Sequence, residues 1–218
     1  MNLFLSLSAA TLITMTSGVA QANEVLNVYR PDKENTVFMA PGWDSVPRMT
    51  LGYGRSLPIK QIDRAVLATV GFEIPLSDGL DHYRADVASL IAIFEGKWNV
   101  ANRFALGLHR TENPLYSGTA LGFEEGILAG YFDTKWFVAS EFTYERLALM
   151  RISHSATYKE NPYGDANDGW HGSTEGKFAV GAQGGYRFLE SYEISLRIVT
   201  APYGVPPIVA NLGASYHF

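Results

Sequence analysis

Apolar side chains occupy every second position through most of this 218-residue chain, and that spacing restricts its fold more than any other feature. Successive side chains of a β-strand point to opposite faces, so a period of two indicates strands with one apolar face. The segment 208–218 shows the pattern most fully, because its even-numbered residues are all apolar or aromatic up to Phe218. The sequence therefore predicts an all-β fold.

Turn-rich stretches separate the alternating segments, with Gly, Pro, Asn and Asp concentrated between them. Alternation is weak in the third and fifth segments, so a barrel of eight strands remains an alternative to one of about ten. The predicted strands cover residues 48–57, 62–76, 85–98, 103–111, 118–132, 135–145, 147–157, 175–188, 191–201 and 207–218.

The second face of these strands carries mostly Gly, Ala, Ser and Thr, with charged residues of both signs among them. In a soluble sandwich that face would be charged against water or rich in Val, Ile and Leu in a core. Small and oppositely charged residues instead suit the narrow interior of a barrel whose apolar face meets lipid. We predict a transmembrane antiparallel up-and-down β-barrel, with a soluble periplasmic sandwich as the alternative. Its polar lumen network is predicted to contain Arg55, Glu73, His109, Glu141, Arg151, Arg187, Glu193, Arg197 and His217.

Composition argues against several classes of function. The formal net charge of −5 offers no basic field for nucleic acid, and the lack of cysteine excludes disulfides and thiolate metal sites. His109 and His217 have inward parity on different strands and could bind a metal with Glu141 or Glu124, but nothing in the sequence brings these residues together. We therefore expect no nucleic-acid partner, no cofactor and no metal.

The N-terminal residues have the pattern of an export signal. An apolar and small-residue stretch from Leu3 is followed by Ala20-x-Ala22, which matches a signal-peptidase site. We expect residues 1–22 to be a signal peptide, residues 23–47 an N-terminal periplasmic extension, and residues 48–218 the barrel.

The closing segment Ile208-x-Ala-x-Leu-x-Ala-x-Tyr-x-Phe218 resembles the terminal strand of bacterial outer-membrane β-barrel proteins. The resemblance implies a location in the bacterial outer membrane and recognition by the barrel-assembly machinery. It also implies contact with outer-membrane lipids and lipopolysaccharide. It covers the last strand specifically and the others only by their general pattern.

Counting strands back from Phe218 predicts which connections face outward. The long connection 158–174 is predicted to be extracellular, where it would be available to a surface ligand. A periplasmic turn is predicted at Arg146, residues 133–134 are expected outside, and the connections 77–83 and 112–117 are expected on the periplasmic side.

The leading function is a small non-enzymatic outer-membrane barrel with a mostly filled polar lumen, serving a structural or surface-interaction role or forming a narrow channel. The alternative is a lipid-modifying hydrolase in which His154 acts with Ser153 or Ser155. That segment loosely resembles lipid A deacylases and phospholipases, which carry a His-x-Ser pair on a strand. Here the residue two positions after His154 is Ala156, and His154 shares the parity of the lipid-facing set unless a bulge reverses it.

Overall fold

The computed structural model describes residues 33–43, 46–59, 64–77, 81–94, 96–160, 167–173, 176–200 and 208–218. The predicted signal peptide lies outside these residues. Of the predicted N-terminal extension, the described part begins at Lys33.

Eleven strands and one short helix make up the described part of the chain. They are β1 (Asn35–Trp43), β2 (Pro47–Ile59), β3 (Arg64–Pro75), β4 (Tyr83–Ala92), β5 (Trp98–Glu112), β6 (Tyr116–Phe132), β7 (Trp136–His154), α1 (Ala156–Glu160), β8 (Gly169–Gly172), β9 (Gly176–Phe188), β10 (Tyr192–Thr200) and β11 (Ile208–His217). Within the described residues, no helix has the length and apolar character needed to cross a membrane.

The strands close into a ten-strand antiparallel barrel, as predicted. Each strand from β1 to β7 pairs with the next, β9 to β11 continue the ring, and β11 pairs with β1 through Thr36 and His217. The short β8 pairs with β7 beyond the part of β7 that pairs with β9, and Gly172 is opposite Leu149. Closure leaves the ring without an unpaired edge.

The predicted count of ten strands is correct although two predictions are wrong, because one strand was missed and another was divided in two. The first strand begins at Asn35, inside the segment assigned to a periplasmic extension, so the barrel boundary at residue 48 is wrong. The two strands predicted on either side of Arg146 are one 19-residue strand, β7, and the turn predicted there is absent. Strand β1 is hard to recognise because its inward side chains include Phe38, so both of its faces look apolar.

The fusion of β7 reverses the predicted sides of several connections. Asn35 and Phe218 exchange backbone hydrogen bonds of 3.0 and 2.9 Å and mark what we call the terminal end of the barrel. The turn at 133–135 also lies at the terminal end. The strand ends that border the connections from β3 to β4, from β5 to β6 and from β7 to β8 lie at the opposite end, which we call the loop end.

A β-bulge in β7 changes which side chains face inward. Leu121 opposes Leu149 while Gly122 opposes Leu147, so Ala148 has no residue opposite it on β6. Before the bulge the odd-numbered side chains are buried, and after it Met150 is buried. An extra residue shifts the two-residue period by one and sends every later side chain to the other face.

The outer face of the barrel is apolar and is bordered by rings of aromatic side chains. At the terminal end, Trp98 contacts Tyr131 with ring centroids 5.4 Å apart, and Tyr131 stacks on Trp136 at 5.0 Å. At the loop end, Tyr144 contacts Phe178 at 4.8 Å and Phe123 at 6.0 Å. We call these the terminal-end and loop-end girdles, which are typical of a membrane-spanning barrel.

Candidate functional site

An apolar cluster fills one side of the lumen at the terminal end. Phe132 and Phe137 stack with ring centroids 5.8 Å apart, and Gly185 leaves the space that the Phe137 ring occupies, since a methyl group there would overlap it. The buried members of this cluster, which we call the apolar plug, are Leu67, Leu90, Ala101, Leu128, Phe132, Phe137 and Ala139.

The opposite wall of the terminal end carries a buried ionic cluster. Glu193 lies 3.5 Å from the Arg187 guanidinium and 3.3 Å from His217 Nε2, which is also 3.1 Å from Ser215 Oγ. All of these side chains are buried. The sequence predicted Arg187, Glu193 and His217 as inward residues, and the structure brings them together.

A bidentate ion pair occupies the middle of the lumen. Arg197 Nε donates to Glu141 Oε2 at 2.8 Å, its second nitrogen contacts Oε1, and Gln183 approaches Glu141 at 3.5 Å. The guanidinium fork matches the carboxylate geometry, which makes such pairs strong when they are withdrawn from water. The structure joins Glu141 to Arg197 across β7, β9 and β10.

Next to this pair lies a branched network of which only Glu124 was named from the sequence, as a possible metal ligand. Glu124 binds both Arg103 and Arg84, the latter at 3.3 Å, while Arg84 also lies 3.6 Å from Glu145 and Arg103 lies 3.7 Å from Asp86. Arg84 and Asp86 lie two positions apart on β4, which is the signal that places them on one face. It was missed because the predicted third strand began at residue 85 and alternated weakly.

The loop-end half of the lumen holds another pair and a buried histidine. Arg48 donates to Glu73 Oε1 at 2.7 Å, and Thr50 approaches the other oxygen at 3.4 Å. His109 is buried on β5, on the opposite wall from His217 on β11, so the two histidines are not brought together. Among the described residues, no three His, Asp or Glu side chains are grouped to hold a metal.

Two residues predicted for the lumen lie on the outer face. Arg55 is exposed and pairs with Glu34 at 3.6 Å near the terminal end, because it shares the outward parity of Leu51 and Tyr53. Arg151 is exposed because the bulge at Ala148 turns odd-numbered residues outward beyond it. The placement of Arg55 and Arg151 in the lumen network is therefore wrong.

The described layers of the lumen thus consist mostly of buried apolar side chains and paired charged side chains. Each acidic side chain named in these layers has an arginine partner, and the apolar plug completes the section at the terminal end. A buried set of charges requires neutralising partners of this kind.

The predicted hydrolase residues lie at the loop end, where β7 runs into α1. His154 Nδ1 lies 2.7 Å from Asp168 Oδ1, and its ring stacks on Tyr158 at 4.4 Å. Ser155 Oγ instead accepts a hydrogen bond from the Tyr158 amide at 3.3 Å, as an N-cap residue does, and Ser153 points outward. Among the described residues neither serine hydrogen-bonds to the His154 ring, so this arrangement does not favour the hydrolase.

Asp168 links the end of β7 to α1 at the loop end. It accepts hydrogen bonds from the His154 amide at 2.8 Å and from the His154 ring, and it pairs with Lys159 at 2.5 Å. We call this group the Asp168 clasp. Lys159 and the two His154 donors hold the pKa of the Asp168 carboxyl well below its ordinary value of 3.8.

The clasp should survive mild acid. The pKa of Asp168 is lower in the folded protein than in the unfolded chain. The ionised carboxylate therefore stabilises the clasp fully when the pH is above the ordinary pKa, and this stabilisation is lost as the pH falls through the pKa of the folded protein. We expect the hydrogen-exchange protection factor of the His154 amide to stay constant from neutral pH to about pH 4 and to fall below it. Asp168→Ala should remove the protection at neutral pH. A loss of wild-type protection between pH 7 and about pH 5 would contradict this assignment.

Comparison with known proteins gives distant structural similarity only. No protein-family model matches the chain, and no curated protein sequence matches it. It is similar to the outer membrane protein Omp33 of Acinetobacter baumannii, with 9% identity over 85% of this chain and 98% of that one and a TM-score of 0.38. It is similar to Ail, the attachment invasion locus protein of Yersinia pestis, with 12% identity, 85% and 99% coverage and a TM-score of 0.37. A mutant of the Rh. blastica porin gives 10% identity, 85% and 98% coverage and a TM-score of 0.23. These neighbours are bacterial outer-membrane barrels, but at this similarity the fold assignment rests on the strand pairing.

Proposed function

We propose that the chain is an integral protein of the bacterial outer membrane whose barrel is sealed to solutes and whose loop end serves contacts at the cell surface. The filled lumen carries this proposal. A diffusion pore needs a continuous water path, whereas the lumen here contains the apolar plug and several paired charges.

The outer face supports the location in a membrane. Large apolar side chains are exposed on every strand of the ring and lie between the two girdles, an arrangement that would be costly in water. On β10 the outward residues are Tyr192, Ile194, Leu196 and Ile198, each 45–49% exposed. Such an apolar surface is suited to contact with lipid.

The lengths of the connections support an orientation. The terminal-end turns at 133–135 and 189–191 are short, while the loop end carries 155–168, and β6 and β7 are the longest strands. Outer-membrane barrels keep short turns in the periplasm and long loops outside. The loop end would then contact lipopolysaccharide or a surface ligand through residues 158–174, and β11 would be the segment that the barrel-assembly machinery recognises.

Two measurements test the proposal. In cell fractionation, we expect the protein in the outer membrane, with a band in unboiled detergent gels that shifts on boiling. In planar bilayers, we expect the purified barrel to give no conductance steps, because paired charges and the plug close the lumen. Recovery in the soluble periplasm would overturn the location, and reproducible single-channel steps would replace the sealed barrel by a narrow channel.

A further inference from the structure

One carboxylate interrupts the apolar outer face. Glu125 is exposed on β6 between Phe123 and Ile127, and its neighbours across the sheet are Phe104 on β5 and Tyr144 on β7. All four neighbours share its outward parity. Glu125 therefore lies within the apolar belt.

Its depth distinguishes Glu125 from other outward charges. On β6 it lies six residues from Tyr131 in the terminal-end girdle and two residues from Phe123 in the loop-end girdle, so it lies in the loop-end part of the apolar belt. Arg55 lies beside the terminal end, and Arg110 and Arg151 lie toward the loop end. Arg146 on β7 also has outward parity and is opposite Phe123, but its guanidinium donates to the backbone oxygen of Ser173 at 2.8 Å. In the part of the chain that the structure describes, Glu125 is the one carboxylate on the outer face between the girdles. Ionisable groups at such depth are costly in lipid and mark functional positions.

A neighbouring amide only partly satisfies this carboxylate. Asn102 Nδ2 donates to Glu125 Oε1 at 3.4 Å, and Asn102 is its sole hydrogen-bond partner among the described residues. A carboxylate accepts up to about four hydrogen bonds, and an asparagine amide has two N–H groups to donate. The pair therefore presents one donor and one acceptor toward lipid, where neither finds water.

We propose that this pair, the Asn102–Glu125 patch, is where a second copy of the chain docks to form a dimer in the membrane. The inference rests on the membrane location proposed above. In a two-fold contact each copy presents the same surface, so the spare amide of one patch faces the carboxylate of the other. Donor and acceptor complement each other across the axis, and each carboxylate gains a second hydrogen bond.

The surroundings of the patch allow two barrels to approach closely. Ser89 on β4 lies in the same row of paired residues as Glu125, and Ala129 on β6 and Ser140 on β7 are small outward residues four positions nearer the terminal end. Small residues let backbones approach in a membrane, and hydrogen bonds between them add to the contact. On β10, three strands away around the ring, the outward side chains Ile194 and Leu196 offer no polar partner.

Disulfide cross-linking in native outer membranes tests the dimer, since the chain has no cysteine of its own. Ile127→Cys lies beside Glu125 and Ile194→Cys lies three strands away on β10, and the two native side chains are 45% and 49% exposed. We expect oxidation to give a product of twice the chain mass from Ile127→Cys and only monomer from Ile194→Cys. Adding Glu125→Leu to Ile127→Cys should reduce the product by about tenfold.

Glu125→Leu should keep the heat-modifiable band, because leucine suits a lipid-facing position. If both cysteine variants are found in the membrane but neither gives a cross-linked dimer, the dimer is overturned and the proposed function is not. If the protein is absent from the membrane, the proposed function is overturned as well. A cross-linked product of another mass would assign the patch to a different protein and would also overturn the second copy. Equal dimer from both cysteines would show unspecific collision and would contradict the patch.

Discussion

Glu141→Ala is expected to lower the free energy of unfolding by about 3–5 kcal/mol, the range found when one partner of a buried ion pair is removed. Both Glu141 and Arg197 are almost fully buried, with side-chain exposures of 5% and 6%. The substitution leaves the Arg197 guanidinium without the carboxylate that meets it on two atoms. The cost comes from the charge that stays behind in a poorly solvated interior.

Urea unfolding of protein refolded in lipid vesicles measures this loss. Ser140→Ala is the matched control, because Ser140 precedes Glu141 on β7 but points outward, and it should change stability little. The double variant Glu141→Leu with Arg197→Met should recover most of the loss, since it removes both charges and keeps the volume. An alanine variant as stable as wild type would mean that water reaches Arg197 and that the lumen is open at this level.

The location of the inward charges followed from the sequence wherever alternation was regular. Glu193 and Arg197 lie four residues apart on β10, which is two full periods of a strand, and the burial of this strand alternates without a break. The same rule placed Arg187 and His217 correctly on the inner face. A period of two is a direct consequence of strand geometry, so it identifies inward side chains without knowledge of their partners.

The rule failed where the backbone leaves the regular period. The bulge at Ala148 is invisible in a pattern of Leu, Ala, Leu and Met, yet it reverses the direction of Arg151 and His154. In β1, Pro41 lies where pairing to β11 is interrupted between Met39 and Gly42. A proline suits such a gap because it has no N–H to donate, but in sequence it signals the end of a strand.

The partners of the charges could not be predicted at all. Glu124 binds Arg84 and Arg103, which lie 40 and 21 residues earlier in the chain. Which strands approach across a lumen depends on strand number and stagger, and these depend on the whole ring. A single sequence shows which side chains face inward and leaves their pairing undetermined.

Phe137→Ala should cause a loss of similar size at the terminal end, by about 3–5 kcal/mol, the usual cost of truncating a buried phenylalanine. Phe137 is 2% exposed, stacks on Phe132 and lies against Gly185, so its removal leaves a cavity that the rigid strands around it cannot close. Phe142→Ala is the control on the same strand, because Phe142 is 46% exposed on the outer face. The outer face should lose less, since lipid chains can fill the space left there.

The same pair of variants tests whether the apolar plug keeps water from the lumen. Ala139→Cys puts a thiol at a plug position that is 3% exposed, in a chain with no other cysteine. A water-soluble maleimide should leave this thiol unmodified in the otherwise wild-type barrel and in the Phe142→Ala background, and should modify it after Phe137→Ala. Modification in all three backgrounds would show that water already reaches the plug. Protection in all three would mean that the neighbouring Arg187–Glu193–His217 cluster closes the terminal end even without the Phe137 ring.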